Sequence, residues 1–273
     1  MSQSSLKQFY QQQLQRIASK CDRQDLGRSA IVFSPHPDDE TLGCGGTIIR
    51  KKTAGADVKI VFMTDGGGSH PHLMSAEELK SIRAQEAIAA AQVLGVEQKD
   101  VLFLEFPDGA LNRYREQAID KVKYILQESQ PEEIYIPYYK ETPSDHFATN
   151  QIAVAALKTY EFIPTIYEYP IWFWRQLPWT SLVGSRREIL SVIKSSLIFG
   201  FGLGLLKDFK STVYIGDVLE LKHTALEKHG TQMQRFLPTP AWQTLNDVSN
   251  GEFIACFFQK YEIFRQSRFL AKG

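Results

Sequence analysis

His36, Asp38, Asp39 and Glu40 place one imidazole and three carboxylates within five residues, in Ser34-Pro35-His36-Pro37-Asp38-Asp39-Glu40-Thr41-Leu42-Gly43-Cys44-Gly45-Gly46. Such groups repel and desolvate one another unless something positive sits among them. A divalent cation answers that need, and a cation beside a spare carboxylate activates water. His36 and Asp39, three apart in a tight turn, are the natural pair of ligands. A catalytic zinc takes three protein ligands and keeps one position open, so the third comes from a distant segment. Of the six histidines, His146 is the best candidate, because it follows an apolar run and is preceded by Asp145. Asp38 is then the unligated carboxylate that moves protons, and Asp145 orients a histidine from behind the ligands. Glu40 opens the following helix and is expected to satisfy its amide dipoles.

Elements that position these residues are legible as alternating strands and helices. Ala30–Phe33, Val58–Met63, Val101–Leu104 and Ile134–Ile136 are short apolar runs of buried-strand type. Helical spacing runs over Thr41–Ala54, Ala76–Leu94, Glu116–Glu128 and Asn150–Thr159, with Gly55 and Gly95 as stops. This alternation predicts an α/β fold, a mostly parallel sheet covered on both faces, with ligands beyond the strands' carboxyl ends. His36, Asp65, Asp108 and Asp145-His146 follow the four strands in turn.

The rest of the chain has a different texture. Tyr167, Tyr169, Trp172, Phe173, Trp174 and Trp179 offer a sugar-stacking wall or a membrane belt, with core packing expected for at least half of them. Residues 195–206 are continuously apolar and Gly-rich. A membrane span needs roughly 18–20 such residues, so this stretch is expected to lie at an interface, pack against another subunit or be buried. Leu219–Gln234 resumes helical spacing, and Phe253–Ile263 reads as a final apolar helix or strand. The expected organisation is a single domain over 1–273, with a metal-bearing core at about 28–165 and a variable part at about 166–273.

Composition narrows the classes. The 273 residues are 43% hydrophobic and 23% charged, as in a soluble globular protein with ample core. Lys plus Arg (31) equals Asp plus Glu (31), so no net field recruits nucleic acid. Cys21, Cys44 and Cys256 are too few and too dispersed for a disulfide framework or a cysteine zinc cluster, and Cys44 is expected to pack under a turn. The polar, helix-like Met1–Gln15 has no secretory character, so a cytoplasmic location, with membrane association through 195–206, is expected. Gly43-Cys44-Gly45-Gly46 misses the Gly-x-Gly-x-x-Gly spacing of dinucleotide binders, and the acidic run before it would repel pyrophosphate.

With these residues assembled, the chain resembles the PIG-L/LmbE-like de-N-acetylase family. The resemblance rests on Pro35-His36-Pro37-Asp38-Asp39-Glu40 and the glycines, Thr64-Asp65-Gly66, Arg83-x-x-Glu86-Ala87, Phe106-Pro107-Asp108-Gly109, Asp145-His146 and Lys222-x-x-Ala225-x-x-x-His229-x-x-Gln232. It implies a Rossmann-like three-layer sandwich and one zinc ion (Fe²⁺ as the alternative) on His36, Asp39 and His146, with Asp38 as base. The implied reaction is hydrolysis of an N-acetyl group from an N-acetylglucosamine-type amino sugar, lipid-linked in one reading. Arg83 and Asp108 match positions that contact the sugar or its aglycone. Relatives often carry His-x-x-His where this chain has Pro143-Ser144-Asp145-His146, so Pro143 leaves an oxyanion donor or leaving-group acid to be found. His70, His72, Tyr138 and Tyr139 are the candidates at nearby strand ends, and the loop Gly66–His72 has the composition of a lid. Two rival readings remain: an amidase for an N-acetylated thiol-cofactor precursor, and a silent sugar-binding relative that lacks turnover because of Pro143.

Overall fold

A computed structural model describes residues 3–21, 23–158 and 163–268. Eight strands form one sheet: β1 (Ser19–Lys20), β2 (Ala30–Ser34), β3 (Val58–Thr64), β4 (Val101–Phe106), β5 (Glu133–Pro137), β6 (Thr165–Tyr169), β7 (Ser211–Tyr214) and β8 (Tyr261–Arg268). Their spatial order is β1-β7-β8-β6-β5-β2-β3-β4. From β4 through β6 every pairing is parallel, and β8 runs antiparallel to both neighbours. The α/β class and the four expected strands are therefore as read from the sequence. The stretch 166–273 does more than append to the core, since β6, β7 and β8 extend the same sheet.

The parallel strands are continuous apolar runs because both of their faces are covered. Ile31, Phe33, Val61 and Ile134 point to one layer with helices Arg115–Ser129 and Ser144–Leu157. Ala30, Val32, Val58 and Phe62 point to the other, with helices Asp39–Thr53 and Ala76–Val93 and the aromatic part of the chain. The chain leaves β2 to β3 on one side and joins β5 on the other. β2 is thus the switch point of the sheet, where a crevice opens at the carboxyl ends.

Local boundaries differ from the expected ones in a telling place. The helix expected over Asn150–Thr159 begins at Ser144, so Asp145 and His146 stand in its first turn; Thr159 lies outside the described residues. Helical spacing across Leu219–Gln234 breaks at His229 into helices Leu219–Glu227 and Gly230–Met233. Two of the motif's three glycines are required by packing. A Cβ on Gly43 would lie 2.3 Å from the Tyr169 ring, and one on Gly46 would lie 2.5 Å from Ile215. They bring the Asp39–Thr53 helix against its neighbours, a packing role rather than a phosphate cradle. Cys44 is buried between them in the apolar core.

Most of the aromatic part is core. Tyr167, Tyr169, Phe173, Trp174 and Trp179 are buried in the same cluster, and Trp172 alone of the group borders the crevice. Residues Arg186–Asp208 reach 23 positions and are long and apolar enough to cross a membrane by length and composition. The structure divides them into helices Arg186–Phe199 and Leu203–Asp208 at Gly200-Phe201-Gly202, all three with positive φ. Neither half approaches the roughly 20 residues a span requires.

Candidate metal centre

Strand β2 delivers His36 to the crevice, and Thr64 at the end of β3 fixes the delivery. The Thr64 amide and hydroxyl both donate to the Pro35 carbonyl, at 3.0 and 2.8 Å. The turn that follows brings Asp39 back beneath His36, whose backbone amide donates to Asp39 Oδ2 at 3.1 Å. His36 Nδ1 lies 3.2 Å from the same oxygen, and His146 Nε2 lies 3.3 Å from it. Those three ligand atoms all fall within 4.8 Å of one another. Bonds of about 2.0–2.1 Å to a tetrahedral zinc put adjacent ligand atoms about 3.3 Å apart, which these two edges match. The donor set therefore fits a divalent cation, and the distant histidine expected from the sequence is the one that converges.

The other nitrogen of His36 is backed by acid. Nε2 stands 3.1 Å from Asp108 Oδ1 and 3.3 Å from Asp145 Oδ2. These three groups could themselves hold an ion; with the ion on Nδ1 instead, the two carboxylates would give the support that fixes a ligand's tautomer and raises its basicity. Both carboxylates are themselves tied down. Asp145 accepts from the amides of Gly109 (2.7 Å) and Leu111 (3.2 Å), and Asp108 accepts from Gly68 at 3.1 Å. Asp65 Oδ1 accepts from Gly67 and Asp108 amides at 3.0 and 3.2 Å. Each strand-end loop is thus pinned to the next by a carboxylate. Asp145 orients His36, and its own histidine neighbour His146 instead faces Glu141, 3.9 Å away. That distance is too long for a hydrogen bond, and His146 Nδ1 has no such partner.

Electrostatics follow from this crowding. Burial alone would strip charge from His36, yet hydrogen bonds to Asp108, Asp145 and Asp39 raise its pKa well above the ordinary imidazole value. Burial would raise Asp39 too, and the two imidazoles overcome it and hold the carboxyl below the usual range. Asp38 goes the other way. Burial, and then the neighbouring Asp39 charge, push its pKa well above that of an ordinary aspartate, with Arg83 opposing. The result is one carboxylate that stays ionised and one that readily takes a proton, side by side.

Asp38 is held in an unusual backbone conformation, φ 127°, ψ −31°. A non-glycine residue there costs on the order of 1–3 kcal/mol and persists only when its surroundings enforce it. Here Glu40 enforces it. Its Oε2 accepts from the Asp38 amide at 3.0 Å, while Oε1 accepts from Thr41 Oγ1 and faces His229 Nε2, at 2.6 and 2.9 Å. The expected role of Glu40 as a partner for helix amides is corrected: it is completely buried and clamps the residue before the helix. Gln232 donates to the Pro37 carbonyl from the same tail segment.

Other expected residues divide sharply. Arg83 is no surface arginine: it is buried, donates from Nη1 to the Gly66 carbonyl at 2.7 Å, and borders the same cleft as Asp38 and Asp108. That cleft holds about 420 Å³. Tyr138 turns away from it into an aromatic cluster with Phe173 and Phe209, and its hydroxyl donates to Asp208. His70 borders the cleft, but its ring stacks on Trp242 at 4.2 Å, and both nitrogens are engaged, with Ser69 Oγ at 2.7 Å and the Gln243 carbonyl at 3.1 Å. The loop bearing it is docked on residues 242–243; His72 is exposed. Pro143 caps the Ser144–Leu157 helix and presents its ring to the cleft.

Several residues of the site carried no sequence signal. Buried Glu141 accepts from the amides of Ile171 (2.9 Å), Trp172 (2.7 Å) and Phe173 (3.2 Å), and so fastens the Trp172 rim. Gln243 and Thr244 form the opposite wall from an irregular segment. Only the acidic character of Glu141 beside the aromatic-rich rim could have drawn notice.

Comparison with known proteins covers the same part of the chain. Residues 31–157 match the family model PIG-L, GlcNAc-PI de-N-acetylase. The chain is 24% identical over 222 residues to diacetylchitobiose deacetylase of Thermococcus kodakarensis, covering 79% of this chain and 73% of that protein. It is 31% identical over 139 residues to a probable N-acetyl-alpha-D-glucosaminyl L-malate deacetylase 2 of Bacillus cereus, covering 48% and 62%. In three dimensions it resembles N,N'-diacetylchitobiose deacetylase from Pyrococcus horikoshii with a TM-score of 0.63, over 98% of this chain and 93% of that one, at 22% identity. That last likeness speaks for the fold. The matched stretch contains His36, Asp39 and His146, the three residues whose ligand atoms converge, and over residues 31–157 the chain is similar to the PIG-L de-N-acetylases.

Proposed function

We propose that this chain hydrolyses the acetamide of an N-acetylglucosamine-type amino sugar with zinc, or Fe²⁺, on His36, Asp39 and His146. The observation that carries the reading is the convergence of His36 Nδ1 and His146 Nε2 on one oxygen of Asp39, beside the separate carboxylate of Asp38. A divalent ion there would lower the pKa of water towards about 7 and polarise an acetamide carbonyl. Asp38 takes the proton of the attacking water, because its buried carboxyl holds a proton more readily than an ordinary aspartate. The same carboxyl then returns that proton to the departing amine, yielding acetate and a free amino sugar. Arg83 and Asp108 face the sugar. With Tyr138 and His70 committed elsewhere, Arg83 is the cleft's remaining cationic donor for a developing oxyanion.

Acetate release from N-acetylglucosamine glycosides, with and without a chelator, tests this reading. Asp38→Asn should keep its metal and lose about 10²–10⁴-fold in kcat. A metal-loaded wild type that binds the sugar and frees no acetate would instead identify the silent relative that Pro143 favours.

We further propose that the protein meets a lipid surface through Arg186–Asp208. Supporting this, Leu190 (65% exposed), Leu197 (66%) and Leu203 (64%) form an outward apolar ridge with Phe201. Arg186, Arg187, Lys194, Lys207 and Lys210 are exposed around it and outnumber Glu188 and Asp208. An apolar ridge rimmed by cations suits anionic headgroups. Wild type should float with anionic liposomes and Leu190→Ser/Leu197→Ser should not; equal flotation of the two would refute the contact.

A further inference from the structure

A second cleft of about 310 Å³ adjoins the metal site, and Pro143 and Trp172 wall both. Its remaining lining is Thr142, Arg175, Ser191 and Ser195. The lining offers a guanidinium and three hydroxyls and no carboxylate. Arg175 Nε is buried without a hydrogen-bond partner, a rare state for a donor in a folded protein. Among the described residues Arg175 forms no ion pair within 4.0 Å. Glu188 feels its charge, but the Glu188 carboxylate is spent on the helix cap, accepting from the Ser185 amide at 2.6 Å.

We infer that this cleft binds a phosphate group on the aglycone of the amino sugar, with Arg175 as its principal contact. The inference rests on the de-N-acetylase reading of the neighbouring site. When the acetamide on C2 of a hexosamine sits at the metal centre, the anomeric oxygen is on the adjacent carbon, which brings the aglycone within reach of the rim that Pro143 and Trp172 share with the second cleft. Trp172, held at that rim by Glu141 and stacked on Phe253 at 5.1 Å, is the saddle between the two clefts. A group passing over it meets Arg175 and the hydroxyls. Guanidinium and hydroxyl donors without competing acid suit a tetrahedral oxyanion. Ser191 and Ser195 belong to the helix Arg186–Phe199 whose outer face carries Leu190 and Leu197. The order across the surface is therefore sugar, anion, apolar ridge, which is the order of groups in a glycosyl phosphate or diphosphate carried on a lipid.

The test compares acetate release from N-acetylglucosamine 1-phosphate and from methyl N-acetylglucosaminide, in wild type, Arg175→Gln and Arg175→Lys. Wild type should favour the phosphate in kcat/KM by about ten- to a hundredfold. Arg175→Gln should erase that preference without changing turnover of the methyl glycoside, and Arg175→Lys should restore part of it. Equal kcat/KM for the two substrates in wild type, or a preference surviving in Arg175→Gln, overturns the subsite. Calorimetric titration with N-acetylglucosamine 1-phosphate separates this from failure of the deacetylase reading. If no substrate yields acetate, tighter binding of the phosphate by wild type than by Arg175→Gln still upholds the subsite, and equal binding removes it. A UDP-linked and an isoprenyl diphosphate-linked N-acetylglucosamine, the latter in vesicles, distinguish a nucleotide source from a lipid one. Preference for either over the methyl glycoside supports the phosphate contact.

Discussion

His229 Nε2 lies 2.9 Å from Glu40 Oε1, and both side chains are sealed from solvent. The contact joins residues 189 positions apart and sits behind, not in, the metal cradle. Its effect reaches the site through the other Glu40 oxygen, which holds the Asp38 amide and with it a strained aspartate. A segment late in the chain thus holds Asp38, the base proposed above, in a motif near the N-terminus.

Glu40→Gln and His229→Ala should accordingly lower kcat by about tenfold or more while KM for the sugar moves little, since an interaction made mainly in the transition state is lost. Metal content should stay at the wild-type level in Glu40→Gln. Steady-state kinetics paired with metal analysis checks this, and a change confined to KM would show that the clamp does not position Asp38.

Asp145 presents the opposite profile. It supports His36 from behind and pins the turn at Gly109 and Leu111. Asp145→Asn should weaken metal affinity by about 10–100-fold, the usual effect of removing a ligand's supporting carboxylate. Competition with a chromogenic chelator measures it. Affinity equal to wild type would mean that Asp108 alone supports the imidazole.

Asp208 gives a pH-dependent contribution to stability. Burial would raise its pKa, but hydrogen bonds from the Tyr138 hydroxyl and from Lys140, the latter at 3.1 Å, outweigh that and hold it below the usual carboxylate value. A carboxyl depressed in the folded state stabilises above its unfolded pKa of about 3.9 and loses that contribution as pH falls through the folded value. Asp208→Asn should therefore melt below wild type by roughly 2–4 °C at neutral pH, with the gap closing at acid pH. Thermal melts at pH 7 and pH 3 decide it, and a gap that widens on acidification would reverse the sign.

Much of the architecture was legible because it is written locally. The β-branched runs at Val58 and Ile134 and the helical spacing of Ala76–Leu94 need only neighbouring residues to be read. The density of charge in His36–Glu40 likewise calls for a positive partner without any knowledge of contacts. The helix start at Ser144 escaped because Ser144-Asp145-His146 carries no apolar spacing: its first turn faces a polar site. Tyr138 and His70 stood at the right strand ends and still turned elsewhere, one to Asp208 and one onto Trp242.

By itself, the sequence determined the parallel α/β scaffold and put forward His36, Asp39 and His146 as candidate ligands, whose ligand atoms the fold brings within 4.8 Å of one another. Only the tertiary structure decided that Glu40 clamps Asp38 through His229, that Arg83 is buried beside the cleft, and that Trp172 walls both that cleft and the second one, which Arg175 lines. The physical reason is range. Periodicity and charge density act between residues close along the chain, whereas the direction of a side chain and the partner that satisfies it are set by packing between segments far apart in sequence.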